Sequence, residues 1–467
     1  MAEEQTVGLT ESNQDVHDMI AESETGGRTP VNPIIANFLI YTALIWSIFQ
    51  LYVSSPLVLE FTPWMNETVV KWFHLAFSIF LAYMSYPALK RSPRSHIPIQ
   101  DWVLAIVAAA SCVYLIVLRD ALADRPGDPT SLDVWVGVVG VVLLLEATRR
   151  ALGPPLMIVA GVFLIYTFLG SHMPDVIAHK GASITKGASH YWLTTEGVFG
   201  VAIGVSATMV FLFVLFGSLL EQAGAGNYFI RVAFALMGHM RGGPAKAAVV
   251  SSALTGMISG SSIANVVTTG TFTIPLMKKV GFSAEKAGAV EVASSTNGQL
   301  TPPIMGAAAF LMVEYVGISY VEVIKHAFLP AVISYIALVY IVHLEAMKAG
   351  MQGLPRIHKM GMKAKLMGFL SVIIVMGALV YVLPPFVAVI KGVAGDSTDW
   401  AVAAILVVAY LLLIAYAARV PDLPVDHEIS ELPIIGETVK SGLHYLLPVV
   451  VLVWLPPEMN STNSTIT

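Results

Sequence analysis

Charge is what this chain has least of. Only 12% of its 467 residues are Asp, Glu, Lys or Arg, while 56% are hydrophobic. A soluble domain carries about 25% charged residues, so the balance points to a membrane protein. Cysteine is nearly absent. The single Cys112 lies in an apolar run and excludes an intrachain disulfide and any Cys-based metal site. There is no GxxxxGK[ST], so no ATP-driven motor is encoded, and neither HExxH nor GxSxG occurs. The Gly260-Ser261-Ser262 run has no evident histidine or lysine base on a neighbouring stretch, which leaves an intramembrane enzyme without a nucleophile–base pair. The net charge of -5 is small, and with much of the acid in the N-terminal tail a nucleic-acid partner has no support. The first thirty or so residues lack a basic start and an early apolar core, so no signal peptide is expected. Residues 1–33 read instead as a disordered cytoplasmic tail.

What is present is a series of apolar segments. A membrane-spanning helix needs about 20 mainly apolar residues. Candidates run at Ile34–Val53, Val69–Leu89, Trp102–Leu118, Leu132–Leu145, Leu156–Gly170, Val198–Leu220, Ala287–Val316, Val321–Leu344, Leu366–Ile390, Trp400–Ala417 and Leu443–Leu455. The expectation is an all-α polytopic membrane protein of about 11 transmembrane helices plus one re-entrant helical hairpin at Ala247–Met277. Basic residues in short loops mark the cytoplasmic side. The loop Ser54–Thr68 has no Lys or Arg. Lys90, Arg91 and Arg94, then Arg149 and Arg150, then Arg231, Arg241 and Lys246, then Lys278, Lys279 and Lys286, and then Lys348, Arg356, Lys359, Lys363 and Lys365 form the basic clusters. With the N-terminus inside, these fall on one side, provided Ala247–Met277 enters and leaves by the same face. Residues 34–150 read as a four-helix scaffold with few polar residues in the membrane. Residues 151–197 form a connecting helix and an outer loop that contains His172, His179 and His190.

Gly, Ser and Thr crowd into the apolar runs from Val198 onward, above all between Ser251 and Gly306. There the hairpin is interrupted at Ser259-Gly260-Ser261-Ser262, with Asn265 one turn on. The helix at Ala287–Val316 is interrupted at Ser294-Ser295-Thr296-Asn297-Gly298-Gln299, just before Pro302-Pro303. Irregular backbone at membrane depth is tolerated only where protein or a watery cavity satisfies it, and interrupted segments mark transporter binding sites. Freed carbonyls and hydroxyls can replace the water around Na⁺, and half-helix N-termini suit a substrate carboxylate. The plain alternative is a kinked helix whose Ser and Thr bond back to their own carbonyls. Thr268, Thr269, Thr271 and Thr273 line the returning arm, either facing a substrate or packing helices. Glu291 is either a functional carboxylate at depth or an interfacial one near Lys286. His74 reads as structural, and Glu146 with Arg149 and Arg150 as a helix-end cluster.

The run from Val210 to Phe310, with SSALTGMISGSSIANVVTTGTFTIPLMKKVGFSAEKAGAVEVASSTNGQLTPPIMG at its centre, resembles the large membrane subunit of TRAP (tripartite ATP-independent periplasmic) transporters. LEATRRALG upstream and AMKAGMQGLPR downstream look most like the fused TAXI-type permeases. The resemblance implies a Na⁺-coupled elevator of inverted repeats that takes small carboxylates from an extracytoplasmic TAXI-type solute-binding protein. Na⁺ is the coupling ion, no other cofactor is implied, and the chain would sit in the inner membrane. The resemblance places Na⁺ ligands, mostly backbone carbonyls, at Ser259, Gly260, Ser261, Ser294, Ser295, Thr296, Gly298 and Pro302. Substrate contacts would map to Ser262, Asn265, Thr268, Thr269, Asn297 and Gln299. Residues 198–356 would be the first repeat of the large subunit, fused to the small-subunit-like bundle. Residues 357–467 offer further apolar segments without a second Gly/Ser/Thr-rich pair, so only half of the inverted repeat is expected. A separate polypeptide would then supply the second repeat, or the chain would act as an assembly partner that does not transport alone.

Overall fold

A computed structural model describes residues 27–353, apart from 29, 56 and 90, and residues 389–454, apart from 391, 394, 396, 397 and 420–431. All regular structure among the described residues is helical. In chain order the principal helices are α1 (Pro33–Val53), α2 (Glu67–Ser85), α3 (Ile99–Val117), α4 (Ser131–Leu152), α5 (Pro154–Leu169), α6 (Val201–Gln222), α7 (Ala225–Met237), α8 (Gly243–Ser259), α9 (Ser262–Lys279), α10 (Ala284–Gly298), α11 (Ala307–Val316), α12 (Tyr320–Lys348), α13 (Thr398–Ala417), α14 (Ile435–Ser441) and α15 (Leu443–Trp454). Among the described residues, α1 to α6 and α12, with α5 taken on through its following turn to His172, are the seven helices long and apolar enough to cross a membrane. The shortfall from eleven has local causes. The segment Ala287–Val316 is divided into two short helices, Trp400–Ala417 counts only as the shorter apolar helix Ala404–Ala417, α15 is only 12 residues long, and Leu366–Ile390 lies almost wholly outside the described residues.

The helix ends follow from the sequence. Asn66 caps α2 by accepting from the Val69 amide at 3.0 Å. Thr130 and Asp133 form a reciprocal capping box at the start of α4. Gly153, at φ +85°, ends α4, and Pro154 opens α5 at once.

The chain divides into two compact units. One holds residues 1–217 and 306–318, and the other holds 218–305 and 319–467. In the first unit, α2, α3 and α4 pack around Trp72, Leu75, Cys112, Leu115, Trp192 and Phe199. Trp192 comes from the stretch expected as an outer loop. That stretch instead forms a short helix, Ile184–Ala188, and a π-helical turn, Ser189–Leu193, which brings Trp192 to full burial against Gly140. Its indole donates to the Ser111 carbonyl at 3.3 Å. The charged end of this bundle is knit together: Asp101 is paired with both Arg28 and Arg150, and Glu146 takes Arg149 and Arg150 at 2.7 and 2.8 Å. The sequence showed the Glu146 cluster but not Arg28 or Asp101.

α1 buries one residue alone, Gln50. Its amide nitrogen donates to the Ala207 carbonyl at 2.7 Å and lies 2.8 Å from His74 Nδ1, while His74 Nε2 is 3.1 Å from Ser206 Oγ. Ser206 and Ala207 belong to a π-helical turn within α6, where the backbone ladder is loosened. His74 is therefore a structural residue, as its lone position on an apolar helix suggested.

In the second unit, α8 and α9 form a helical hairpin with its turn at Gly260-Ser261, and α10, α12 and α7 pack on it. Lys246 begins one arm, and Lys278 and Lys279 end the other, so these cations share the open end. The residues between α6 and the hairpin had read as a basic loop. They contain α7, whose Tyr228, Phe229, Ile230, Ala233 and Phe234 face the core.

Trp192→Ala empties the centre of the first unit. It is expected to cost about 3–5 kcal/mol, read as a lowered unfolding temperature of the detergent-solubilised protein.

Candidate functional site

The hairpin turn is held by its own sequence. Gly260 adopts φ +62°, a left-handed conformation that glycine takes without penalty, and its amide donates to the Gly256 carbonyl at 3.2 Å. Ser261 caps α9 through the Ala264 amide at 3.3 Å, and Ser259 Oγ donates to the Ser261 carbonyl at 3.3 Å. A side chain at Gly260 would collide with the Met305 carbonyl oxygen and lie 3.2 Å from the Ile304 side chain. The second interruption therefore lies directly on the first.

The second interruption is displaced from where its composition put it. Ser294 to Gly298 are helical and form the last turns of α10; the irregular stretch is residues 299–306, with a cis Pro302–Pro303 bond and Met305 at φ 58°. Small polar residues loosen a helix only weakly, whereas two consecutive prolines remove two amide donors and must end it. Gln299 Nε2 donates to Ser262 Oγ at 2.9 Å, and the Ile304 amide donates to the Met257 carbonyl at 3.3 Å, which ties this stretch to both sides of the turn. Tyr320 directs its hydroxyl to the carbonyls of Pro303 and Ile304, and Tyr335 donates to the Ser294 carbonyl at 3.2 Å. Neither tyrosine was marked by sequence reasoning, because both sit in an apolar helix far along the chain.

Below the turn α8 and α10 touch backbone to backbone. A Cβ on Gly256 would stand 2.6 Å from Gly298 Cα. Asn265 is fully buried beside this crossing. Its Nδ2 donates to the Ser252 carbonyl at 2.9 Å, and its Oδ1 has no hydrogen-bond partner. Thr255 Oγ1, on the other arm, is likewise buried and unpartnered. Buried polar oxygens are almost always satisfied, so two orphans about one turn from the same bend are an observation about the site. The hydrogen-bonding groups gathered here are carbonyls, hydroxyls and amides. Such oxygens are the hard ligands that Na⁺ would take, so the residues fit that ion.

The predicted residues separate into groups. Ser259, Gly260, Ser261, Ser262, Asn265, Gly298 and Gln299 are brought together around the turn, and Pro302 lies in the stretch that covers it. The side chains of Ser294 and Thr296 follow the plain alternative, bonding back to Val290 at 2.8 Å and Val292 at 2.7 Å. Thr301, not predicted, bonds back to the Asn297 carbonyl at 2.9 Å. Thr268 turns away to Glu221. Thr269 and Ser295 turn to Glu291, as do Ser252 and Thr273. Glu291 is wholly buried, and Lys286 pairs with Glu345 instead, so the interfacial reading of Glu291 is set aside.

Residues 139–419 match the family model of the tripartite ATP-independent periplasmic transporter, DctM component. The chain belongs to this family. With seven apolar helices long enough to span among the described residues, it is a multi-pass inner-membrane protein. It is 37% identical over 91 residues to the C4-dicarboxylate TRAP transporter large permease protein DctM of Rhodobacter capsulatus, covering 20% of this chain and 21% of that one. It is 27% identical over 233 residues to the DctM of Vibrio cholerae, covering 48% of each chain. It is 34% identical over 95 residues to the ectoine TRAP transporter large permease protein TeaC of Halomonas elongata, covering 20% of this chain and 22% of that one. The chain spans less than half the length of these curated relatives.

The Gly256–Gly298 crossing makes an ordered prediction. Gly256→Ala overlaps Gly298 Cα at 2.6 Å and should destabilise by about 1–3 kcal/mol. Gly298→Ala meets Gly256 Cα at 3.0 Å and should cost less, as compared by thermal unfolding in the same detergent.

Proposed function

We propose that this chain is the membrane permease of a Na⁺-coupled, binding-protein-dependent TRAP transporter that imports small carboxylates. One observation carries the ion-binding part of the reading. The irregular stretch 299–306 is folded onto the hairpin turn, and Thr255 Oγ1 and Asn265 Oδ1 lie buried and unpartnered on either arm beside it. Irregular backbone that lines a polar site at membrane depth is how secondary transporters hold coupling ions. The substrate class is supported by relatives named for C4-dicarboxylates and ectoine, molecules that carry carboxylate groups.

In this reading the carbonyls around Gly260 and Ser261, with the Asn265 side-chain oxygen, would hold Na⁺. Ser262 and Gln299, already hydrogen-bonded to each other and at the outer side of the turn, would meet the substrate. The N-terminus of α9 begins there and contributes about half a positive charge to a bound carboxylate. An extracytoplasmic solute-binding protein of the TAXI type would deliver the substrate. The N-terminus would be cytoplasmic.

The test is uptake into proteoliposomes that contain this chain, its binding protein and any partner subunit. Gly260→Val, which puts a branched side chain against the Met305 carbonyl, should abolish Na⁺-driven uptake while membrane insertion and yield persist. Uptake at the wild-type rate would show that the turn is only a packing kink.

A further inference from the structure

Glu291 lies outside the turn and is the more unusual group. It is 0% exposed, and its partners come from three helices. Oε1 accepts from Ser252 Oγ on α8 at 3.1 Å, from Thr269 Oγ1 on α9, and from Ser295 Oγ on its own helix α10 at 3.3 Å; Oε2 accepts from Thr273 on α9. Its hydrogen-bond partners include no lysine, arginine or histidine. The nearest basic group in sequence, Lys286, is engaged by Glu345. Lys246, at the open end of the hairpin, sits 3.0 Å from His343 Nδ1.

A carboxylate removed from water is costly unless something positive accompanies it. Here that partner is not a side chain. Four oxygens cluster around one point: Glu291 Oε1, Ser252 Oγ, Thr269 Oγ1 and Ser295 Oγ. Ser252 Oγ stands 3.1, 3.2 and 3.4 Å from the other three. Na⁺ has nearly the radius of Ca²⁺, so its oxygens sit about 2.4 Å away, and the edges of an octahedron of that size are about 3.4 Å. The distances from Ser252 Oγ thus approach those of a coordination shell, while Thr269 and Glu291 lie closer together in a direct hydrogen bond. Each hydroxyl can turn its proton outward and offer a lone pair to a cation.

We propose that Glu291, Ser252, Thr269 and Ser295 form a second Na⁺ site, separate from the hairpin turn and the one of the two that carries a full negative charge. Ser252 precedes Ser259 by seven residues along α8, which places this site about 10 Å below the turn. The ion's identity rests on the proposed Na⁺ coupling, but the location does not. Thr269 joins the two sites: its hydroxyl also lies 2.7 Å from the Asn265 carbonyl, a second acceptor for its one proton. Na⁺ at Glu291 would turn that hydroxyl and so bear on the helix that holds Asn265.

The experiment measures binding of radiolabelled Na⁺ alone to the purified full chain, with choline replacing Na⁺ at constant ionic strength. Gly260→Val should lose the turn site and retain Na⁺ that competes with Li⁺ and depends on Glu291. Glu291→Gln, Thr269→Val and Ser295→Ala in that background should each weaken the remaining binding by about 10–100-fold. If Glu291→Gln does not fold, Ser295→Ala, which removes a single oxygen, decides. Binding unchanged in Ser295→Ala and Thr269→Val overturns the site, as does a wild-type chain that responds at this position to pH and not to Na⁺. A wild-type chain that binds Na⁺ at Glu291 but shows no Na⁺-driven uptake would count against the proposed transport and leave this site standing.

Discussion

Two glycine backbones in contact set the geometry on which the second unit depends. Gly256 and Gly298 allow α8 and α10 to cross at a distance that any side chain would forbid. In hydrocarbon there is no hydrophobic force to drive helices together, so close backbone approach is what makes such a crossing stable. The approach also fixes what lies above and below it. Above, the stretch after α10 comes down onto the hairpin turn. Below, Glu291 is delivered among hydroxyls from two other helices. One contact thus places both sets of oxygens.

The two units handle buried charge differently. In the first, Asp101 is neutralised by two arginines, and Arg150 also lies 4.7 Å over the Tyr83 ring. These buried charges are paired with full opposite charges, which suits a rigid support. In the second, Glu291 has hydroxyls only, and two further oxygens have no partner at all. Unpartnered buried polar atoms occur in both units, Gln50 Oε1 and Trp46 Nε1 in the first among them, so the difference lies in how buried charge is met. The contrast in how charge is satisfied separates support from site more clearly than composition does.

Much of this was legible in the residues. The turn at Gly260-Ser261 was visible as Ser and Gly inside an apolar run, and the loop charges asked for a hairpin with both ends on one side. The six N-terminal spans were marked by length and hydropathy. What was misplaced has a physical cause. Ser294 to Gly298 looked like a break, yet serine and threonine can bond back to their own helix and continue it, while Pro302 and Pro303 cannot. Trp192 looked like part of a loop because burial against Gly140 is a tertiary event with no local signature. Asp101, Arg28, Ser252 and Gly256 were passed over for the same reason. Their significance lies in residues 49 and 73 positions away in the first pair and across a helix crossing in the second.

The contact between Gln50 and the loosened turn of α6 has a consequence for the outermost helix. The apolar faces of α1 are nearly equivalent to lipid, so packing alone would leave it free to roll about its long axis. A directional bond from one buried amide to the Ala207 carbonyl removes that freedom. The carbonyl is available because the helix around it takes the wider π winding. An irregularity in one span thereby sets the rotational register of another.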